Sequence, residues 1–576
     1  MQIKIWDVQE LTLTANRNHE NPYMDVDVWI DLTGPDFNKR VYGFWDGKNT
    51  FKVRFTATKP GTWSYVSGSF PLDSGLDGIS GSFEAVDWSE AEKQDNPSRR
   101  GILRPSENGH GFIHPDGQDF FMIGDTWWAA PTYRFRWSDD SIERPIEECY
   151  FKDLVKYRKK QGYNTIAMLT GHPTWANDSH PPQIEIEPGL WIRDAWQQKG
   201  TESAKDMHNA GGRLFHFPGN VKGYEDVVPD FTRINPDYFI EMDKKIDYLQ
   251  SEGILTFLET ARRDVSTIWK KHGGWPDTYA RYVQYIFARY QAHYCLLSPI
   301  HFDWPYCSIP SREYNEPINR WLERYGHPPF GTLVGTNPSP STLVNFGNSD
   351  EAPWLTFHQN GNWREHDHHW YLTECYQSEP AMPVIAGEPY YPGFPFGEPP
   401  ETDSPEAEMN NRAGLYGSFL SGAIGGVIYG VEGIWGADIE AAAPFKIWES
   451  ITFRSGAETP LVKKFALSEG CRYHDLVPNN ELVTPNKAGE HMGYRGWAFC
   501  AATPCKDYAL IYLEAECPPV IVRGFKPCAS YSLHSFDPVA GTWTDCGKLQ
   551  TDQFGRSELT QDDRTTDIGY KLILES

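Results

Sequence analysis

The chain has 576 residues, with 53 Lys or Arg against 78 Asp or Glu, a formal net charge of −25. That length exceeds the ~250–300 residues at which a single core stops growing, so two or three domains are expected. The acidic balance argues against nucleic acid and anionic membrane surfaces as partners, the moderate charged fraction excludes a disordered chain, and no run of 18 apolar residues is present to span a membrane.

The first residues, Met1-Gln2-Ile3-Lys4-Ile5-Trp6, read as a strand and lack the apolar segment and small-residue cleavage site of a secretion signal. A cytoplasmic protein is expected, or one whose signal has been removed. Residues 1–88 alternate apolar and polar, as in Met24-Asp25-Val26-Asp27-Val28-Trp29-Ile30 and Phe51-Lys52-Val53-Arg54-Phe55. The turn dipeptides Asp46-Gly47 and Pro60-Gly61 separate such runs, and strands at this spacing predict a β-sandwich.

From 89 to 478 strand-like and helix-like stretches alternate, the order of a parallel sheet with crossover helices. Asn235-Pro236 is a helix cap followed by Pro at the first helical position. Tyr238, Phe239, Met242, Ile246 and Leu249 then form an apolar face, and Gly253 precedes the buried run Ile254–Leu258. Eight candidate strands fall at 119–124, 163–169, 253–259, 294–302, 342–346, 353–358, 383–387 and 425–430. That number predicts an α/β fold, a (β/α)₈ TIM barrel with long loops. The Glu/Pro-rich stretch 398–408 reads as a mobile loop. From 479 to 576 short strands return, among them Ala509–Leu513, Val520–Val522 and Tyr531–Leu533, predicting a second β-sandwich. Ten scattered cysteines form no CxxC pair and read as small buried hydrophobes in a reducing compartment.

The Walker A pattern, GxGxxG, HExxH and GxSxG are all absent, which removes the commonest nucleotide, zinc-protease and esterase arrangements. The stretch Glu365-His366-Asp367-His368-His369 lacks ligand spacing and reads as a solvated loop or helix start; no metal and no cofactor are expected. Barrel enzymes place their chemistry at the C-terminal ends of strands. The fourth candidate strand ends Ser298-Pro299-Ile300-His301-Phe302-Asp303-Trp304, and the seventh runs Pro383-Val384-Ile385-Ala386-Gly387-Glu388-Pro389-Tyr390. An unpaired carboxylate beside a buried strand is expensive, and a bond-cleaving pair explains two of them. Glycoside hydrolysis needs one carboxylic acid to protonate the leaving oxygen and a second carboxylate to attack the anomeric carbon or activate water. Asp303 and Glu388 are therefore the candidate catalytic pair. Strand periodicity sets His301 and Asp303 on one face and Ala386 and Glu388 on another, with Ala386 and Gly387 leaving room for a sugar ring.

These residues and their order resemble the apiosidase-like glycoside hydrolases, family 140, over nearly the whole chain. The resemblance is carried by Asn21-Pro22-Tyr23, Gly43-Phe44-Trp45-Asp46-Gly47 and Gly61-Thr62-Trp63-Ser64-Tyr65 near the N-terminus. It continues through Phe120-Phe121-Met122-Ile123-Gly124-Asp125-Thr126-Trp127-Trp128, the stretch 354–361 with Gln359, Gly387-Glu388-Pro389, Tyr429-Gly430 through Gly433-Ile434-Trp435, and Asp537-Pro538-Val539-Ala540-Gly541. The resemblance implies a retaining mechanism with an Asp acid/base after strand four and a Glu nucleophile after strand seven, which fall on Asp303 and Glu388. Two departures stand out: His301-Phe302 where the family has small Gly residues, and Val431-Glu432 where its eighth-strand loop carries His and Asn. The activity class therefore transfers better than a preference for apiose.

Further candidate substrate-binding residues are Asp125 and Trp127 after strand one, His172 and Trp175 after strand two, and His301 and Trp304 around Asp303. His358 and Gln359 on strand six, Tyr390 as a hydrogen-bond partner of the nucleophile, and Glu432 and Trp435 after strand eight complete the set. Glu259 ends strand three with Arg262 and Arg263 nearby to pair with it. The expected partner is a carbohydrate, with a homo-oligomer left open. A carbohydrate-binding protein without catalysis and a polysaccharide lyase are the alternatives.

Overall fold

The computed structural model describes residues 2–138, 150–171, 183–187, 190–193, 208–223, 225, 228–263, 266–303, 309–362, 366, 368–393, 402–439, 441, 443–488, 494–561 and 563–575. The N-terminal part is a β-sandwich. A five-stranded sheet runs in the order Gln2–Lys4, Ser80–Val86, Gly61–Phe70, Asp27–Gly34, Phe37–Tyr42, and a three-stranded sheet runs Gln9–Thr14, Thr50–Phe55, Phe44–Trp45. The alternation sets Val28, Ile30 and Leu32 into the shared core with Val53, Phe51 and Trp63.

The barrel follows. Its parallel strands are Met122–Thr126, Thr165–Leu169, Leu255–Glu259, Cys295–Ser298, His358–Asn360, Val384–Ala386 and Gly426–Tyr429, adjacent in the order four, three, two, one, eight, seven, six. Residues 333–335 fill the fifth place. Leu297 donates to Leu333 O (3.0 Å) and Gly335 to Leu297 O (3.0 Å), while Thr356 donates to Val334 O (2.8 Å), so the ring closes between strands four and six.

The fold class is thus the expected (β/α)₈ barrel, but strand five is not where the pattern sets it. Residues Thr342–Phe346 form a helix, because the Ser341 side chain accepts from Val344 N and caps it. Their apolar, β-branched composition imitates a strand. Strand six likewise pairs only over His358–Asn360, after a turn at 352–355. The capped crossover is as the sequence indicates: Asn235 accepts from Asp237 N (3.2 Å) at the start of the helix Pro236–Ser251. The helix Pro405–Leu420 opens on Ser404 and claims the end of the stretch read as a loop.

Both faces of the barrel strands are apolar. Met122, Ala167, Leu169, Leu255, Phe257, Leu296, Ile385 and Ile428 pack inside the ring with Phe357, and Leu103, Phe112 and Phe120, from the segment before strand one, join that cluster. Ile123, Ile166, Met168, Leu258, Leu297, Val384 and Val427 face the surrounding helices. The C-terminal part is a second sandwich, six strands against three, around Ala498, Cys500, Ile511, Val520, Tyr531 and Leu572.

The histidine stretch is not solvated. His366 is buried with Nε2 2.8 Å from Glu514 Oε1 of the C-terminal sandwich, and His368, first residue of the helix His368–Gln377, meets Ser418 Oγ at 2.8 Å. The described cysteines divide evenly: 295, 375, 500 and 517 are buried, whereas 471, 505, 528 and 546 are exposed. Among the described residues no helix is long and apolar enough to cross a membrane.

Candidate active site

The site grows out of an interrupted strand. Pro299 has no N–H to continue the ladder after Ser298, and its carbonyl instead accepts from Thr260 Oγ1 (2.5 Å) and Tyr279 OH (2.9 Å). The chain then pairs again on both sides. His301 N donates to Ala261 O (2.7 Å), Arg263 N to His301 O (3.0 Å), and Phe302 N to Asn337 O (2.7 Å). The ends of strands three, four and five are thereby tied together around Asp303.

Asp303 is 9% exposed, and its carboxylate is met by two guanidiniums and an imidazole. Arg263 Nη1 bonds Oδ1, Arg262 Nη2 lies 3.3 Å from Oδ2, and His301 Nε2 lies 3.3 Å from Oδ2. The two arginines, expected to pair with Glu259, pair with Asp303 instead. The guanidiniums stabilise negative charge there. Glu259 turns to His301: Oε2 bonds Nδ1, and both side chains are fully buried. Burial pushes the Glu259 carboxyl well above the usual carboxylate range, and the charge of Glu388 adds to that push, against a smaller pull from the Asn337 backbone. Strand periodicity puts His301 and Asp303 on one face, as expected.

Glu388 is 3% exposed and follows strand seven. Its Oε1 accepts from Asn337 Nδ2 (3.1 Å) and from Tyr391 OH (3.2 Å). Each donor is held in turn. Gln359 Nε2 donates to Asn337 Oδ1 (3.0 Å), and the Tyr391 hydroxyl is 2.6 Å from Thr126 Oγ1, which bonds Tyr429 O (2.9 Å). Two glycines make the room. A Cβ on Gly387 would lie 1.9 Å from Gln359 Nε2, and one on Gly430 would lie 2.1 Å from the Tyr391 ring. The space at Gly387 therefore holds Gln359 rather than a sugar ring. Gly387→Ala should push Gln359 off Asn337 and lower kcat by ~10–100-fold, the scale of a sub-ångström to one-ångström misplacement. Unchanged kcat in a folded variant would remove Gln359 from this support.

The other candidates divide by strand phase. Asp125 and Trp127 are turned outward and are not at the mouth. Asp125 Oδ2 accepts from Arg158 Nε (2.6 Å), on the helix Phe151–Gln161, and from Trp127 Nε1 (2.8 Å), and the Trp127 ring stacks on Phe135. His358 also faces outward, between Thr342 Oγ1 (2.8 Å) and Ser378 Oγ (3.0 Å), with burial lowering its pKa to about 4. Gln359, one residue on, is the inward neighbour. Tyr390 packs edge-on to Tyr494 (5.4 Å), so the tyrosine that bonds the nucleophile candidate is Tyr391. Glu432 and Trp435 are half-buried in the turn after strand eight, and Trp435 packs against the inner barrel cluster. His172, Trp175 and Trp304 lie outside the described residues. Sequence reading missed Asn337, Tyr391 and Trp128, whose ring meets His301 edge-on at 4.6 Å; the glycine at 430 was the available signal for Tyr391.

Among the described residues no group of three or more His, Cys, Asp or Glu is arranged to hold a metal ion. A buried carboxylate oriented by an amide and a phenol after strand seven, and a second carboxylate held by cations after strand four, are equipment for nucleophilic attack and proton transfer at an acetal carbon.

Comparison with known proteins fits this geometry. The model of the family described as "Apiosidase-like, catalytic domain" matches residues 106–470, more than half of the chain, and a domain of unknown function, DUF5060, matches residues 2–70. A solved structure of a candidate glycoside hydrolase from Bacteroides vulgatus ATCC 8482 superposes with a TM-score of 0.65 at 17% identity, covering 100% of both chains. A family 5 glycoside hydrolase from the same organism gives 0.59 at 17% identity, covering 83% of this chain and 95% of that one. These likenesses show the fold. Comparison with curated proteins gave no match.

Proposed function

We propose that this chain, which belongs to the apiosidase-like catalytic-domain family, is a retaining glycosidase with Glu388 as nucleophile and Asp303 as acid/base. The observation that carries the reading is the seating of Glu388. Its Oε1 accepts from Asn337 Nδ2 and Tyr391 OH, which fix one carboxylate oxygen of a side chain buried at the end of strand seven. A nucleophile needs that positioning. Asp303, tied to cations at the end of strand four, is the second carboxylate and takes the role of acid/base for the leaving oxygen.

In the first step Glu388 attacks the anomeric carbon as the glycosidic bond breaks, and Asp303 passes a proton to the departing oxygen. In the second, Asp303 takes a proton from water, which displaces Glu388. Two inversions give net retention. Substrates are glycosides or oligosaccharides of plant or microbial origin, with β-apiosides and related furanosides first in order. Glu432 after strand eight, half-buried where Val431 is sealed in the core, is the residue we assign to sugar preference, and Trp435 offers a platform for the ring. The test is sugar release from a panel of apiosides, arabinosides and other aryl glycosides, with the anomer followed by proton NMR. Release with retained configuration, abolished in Glu388→Gln, supports the proposal. Inverted product, or full activity in Glu388→Gln, overturns it, and glycan binding without release favours an inert binder.

A further inference from the structure

We propose that the proton given to the leaving oxygen is stored on Glu259 and reaches Asp303 through the imidazole of His301. This rests on the glycosidase reading and assigns a proton store to the same site. Three observations carry it.

The first is a continuous chain of contacts. Glu259 Oε2 bonds His301 Nδ1, and His301 Nε2 lies 3.3 Å from Asp303 Oδ2, within reach but not aligned as a hydrogen bond, so a small rotation of the Asp303 carboxylate closes the second link. Glu259 and His301 are sealed from solvent, and the imidazole is fixed by the Trp128 ring at 4.6 Å and by backbone pairing to Ala261 and Arg263. The second is the setting of Asp303. With Arg263 on one oxygen and Arg262 and His301 on the other, it favours the carboxylate, a poor state for a general acid that must hold its own proton. The third is the setting of Glu259, which faces His301, the Asn337 backbone and the charge of Glu388, with no arginine among its described partners. Burial and Glu388 together favour its neutral form.

The protons then balance. In the free enzyme Glu259 O–H donates to His301 Nδ1, His301 Nε2 carries the proton nearest Asp303, and Asp303 and Glu388 are carboxylates. When Glu388 attacks, its negative charge is consumed in the ester. Glu259 passes its proton to Nδ1, Nε2 passes its proton to Asp303, and Asp303 passes one to the leaving oxygen. Glu259 is now the carboxylate, so the two negative charges of the site are conserved and Asp303 remains paired with its arginines. In the second step Asp303 removes a proton from water and hands it to Nε2, Nδ1 returns its proton to Glu259, and Glu388 departs as the carboxylate.

Glu259 and His301 act through Asp303, so the test must separate proton supply from support. Glu259→Gln should lower kcat/KM by ~10²–10³-fold for an alkyl or phenyl glycoside, the share of a general acid. It should change that for the dinitrophenyl glycoside by less than about threefold, because that leaving group needs no proton. The basic limb of the pH profile should shift in the same variant. Equal losses on both leaving groups, or an unaltered pH profile, would overturn the relay. A second measurement needs no variant fold. Nitrogen-15 NMR of the histidine rings, with His301→Gln to assign the signal, should show Nε2–H and an unprotonated Nδ1 in the free enzyme. It should show Nδ1–H once a fluoroglycoside has trapped the glycosyl-enzyme, because the ester removes the Glu388 charge that keeps Glu259 neutral and the Glu259 proton then leaves through His301 and Asp303 to water when the leaving group takes none. The same tautomer in both states, or an imidazolium in the free enzyme, would exclude the relay. Failure of the glycosidase reading is told apart by wild type releasing no sugar and forming no trapped species.

Discussion

Glu388→Ala should lower turnover of the best aryl glycoside by ~10⁴-fold or more, and added azide should restore part of it as a glycosyl azide of inverted configuration. The argument runs from the site outward. Removing the carboxylate abolishes the covalent step, and the Oε1 pocket between Asn337 Nδ2 and Tyr391 OH becomes a cavity lined with hydrogen-bond donors, open to a small anion. Azide attacking from that side makes one displacement, hence inversion. Asp303→Ala should behave oppositely: the glycosyl-enzyme still forms from an activated substrate, azide replaces water on the second step, and the product keeps its configuration. The difference between the two azide products, read by proton NMR, assigns the roles separately. Retained azide from Glu388→Ala would exchange them. The fold should tolerate the change, since Tyr391 keeps its contact with Thr126 Oγ1 (2.6 Å) and Asn337 keeps Gln359 (3.0 Å).

What sequence could and could not show follows from how a barrel strand is buried. Asp303 and Glu388 stand out because each ends an apolar run, and Asn235-Pro236 announces its helix because capping is local chemistry. Which side of a strand points inward is a different matter. In strand one Met122 is inside the ring and Ile123 outside it, both apolar, so alternation carries no sign of phase. The candidate drawn at Asp125 belongs to the outer face and its inward neighbour is Thr126; His358 and Gln359 repeat the pattern, and Tyr390 and Tyr391 differ by one position in the same way. The misplaced strand five has a related cause. Residues 342–346 have strand composition, but the Ser341 cap fixes a helix, while the true fifth segment, Leu333-Val334-Gly335, is too short to show a period. The partners of Asp303 were hidden by separation, because Arg262 and Arg263 meet it only when strands three and four lie side by side.

Asp243→Ala should destabilise the protein by ~3–5 kcal/mol and free the N-terminal sandwich from the barrel before the barrel itself unfolds. Asp243, on the helix Pro236–Ser251, is gripped by two arginines. Arg54, from the sandwich strand Thr50–Phe55, sets Nη2 2.5 Å from Oδ2 and Nη1 3.1 Å from Oδ1. Arg289, from the neighbouring helix Asp277–Tyr290, sets Nη2 2.6 Å from Oδ2 and Nε 3.0 Å from Oδ1. All three are buried, so truncation leaves two guanidiniums in a poorly solvated seam with, among the described residues, Asp46 and Glu10 as the remaining carboxylates paired to them. The cost is that of uncompensated charge rather than of one lost bond. The arginines hold the Asp243 carboxyl well below the usual carboxylate range, although burial alone would raise it. A depressed folded pKa contributes stability above the unfolded value of ~3.9 and loses it only as pH falls. The deficit of the variant should therefore be constant from about pH 5 to 9. Thermal unfolding with limited proteolysis at the 86–103 junction checks both the size and the order of events, since a chain of several domains need not melt as one unit. Arg324→Ala is the control: that guanidinium bonds Asp27 at 2.6 Å between the same two domains, but its side chain is 61% exposed. Removing it should cost under ~1 kcal/mol. Equal shifts from the two variants would mean that the sandwich is held by its apolar contacts and not by the Arg54–Asp243–Arg289 set.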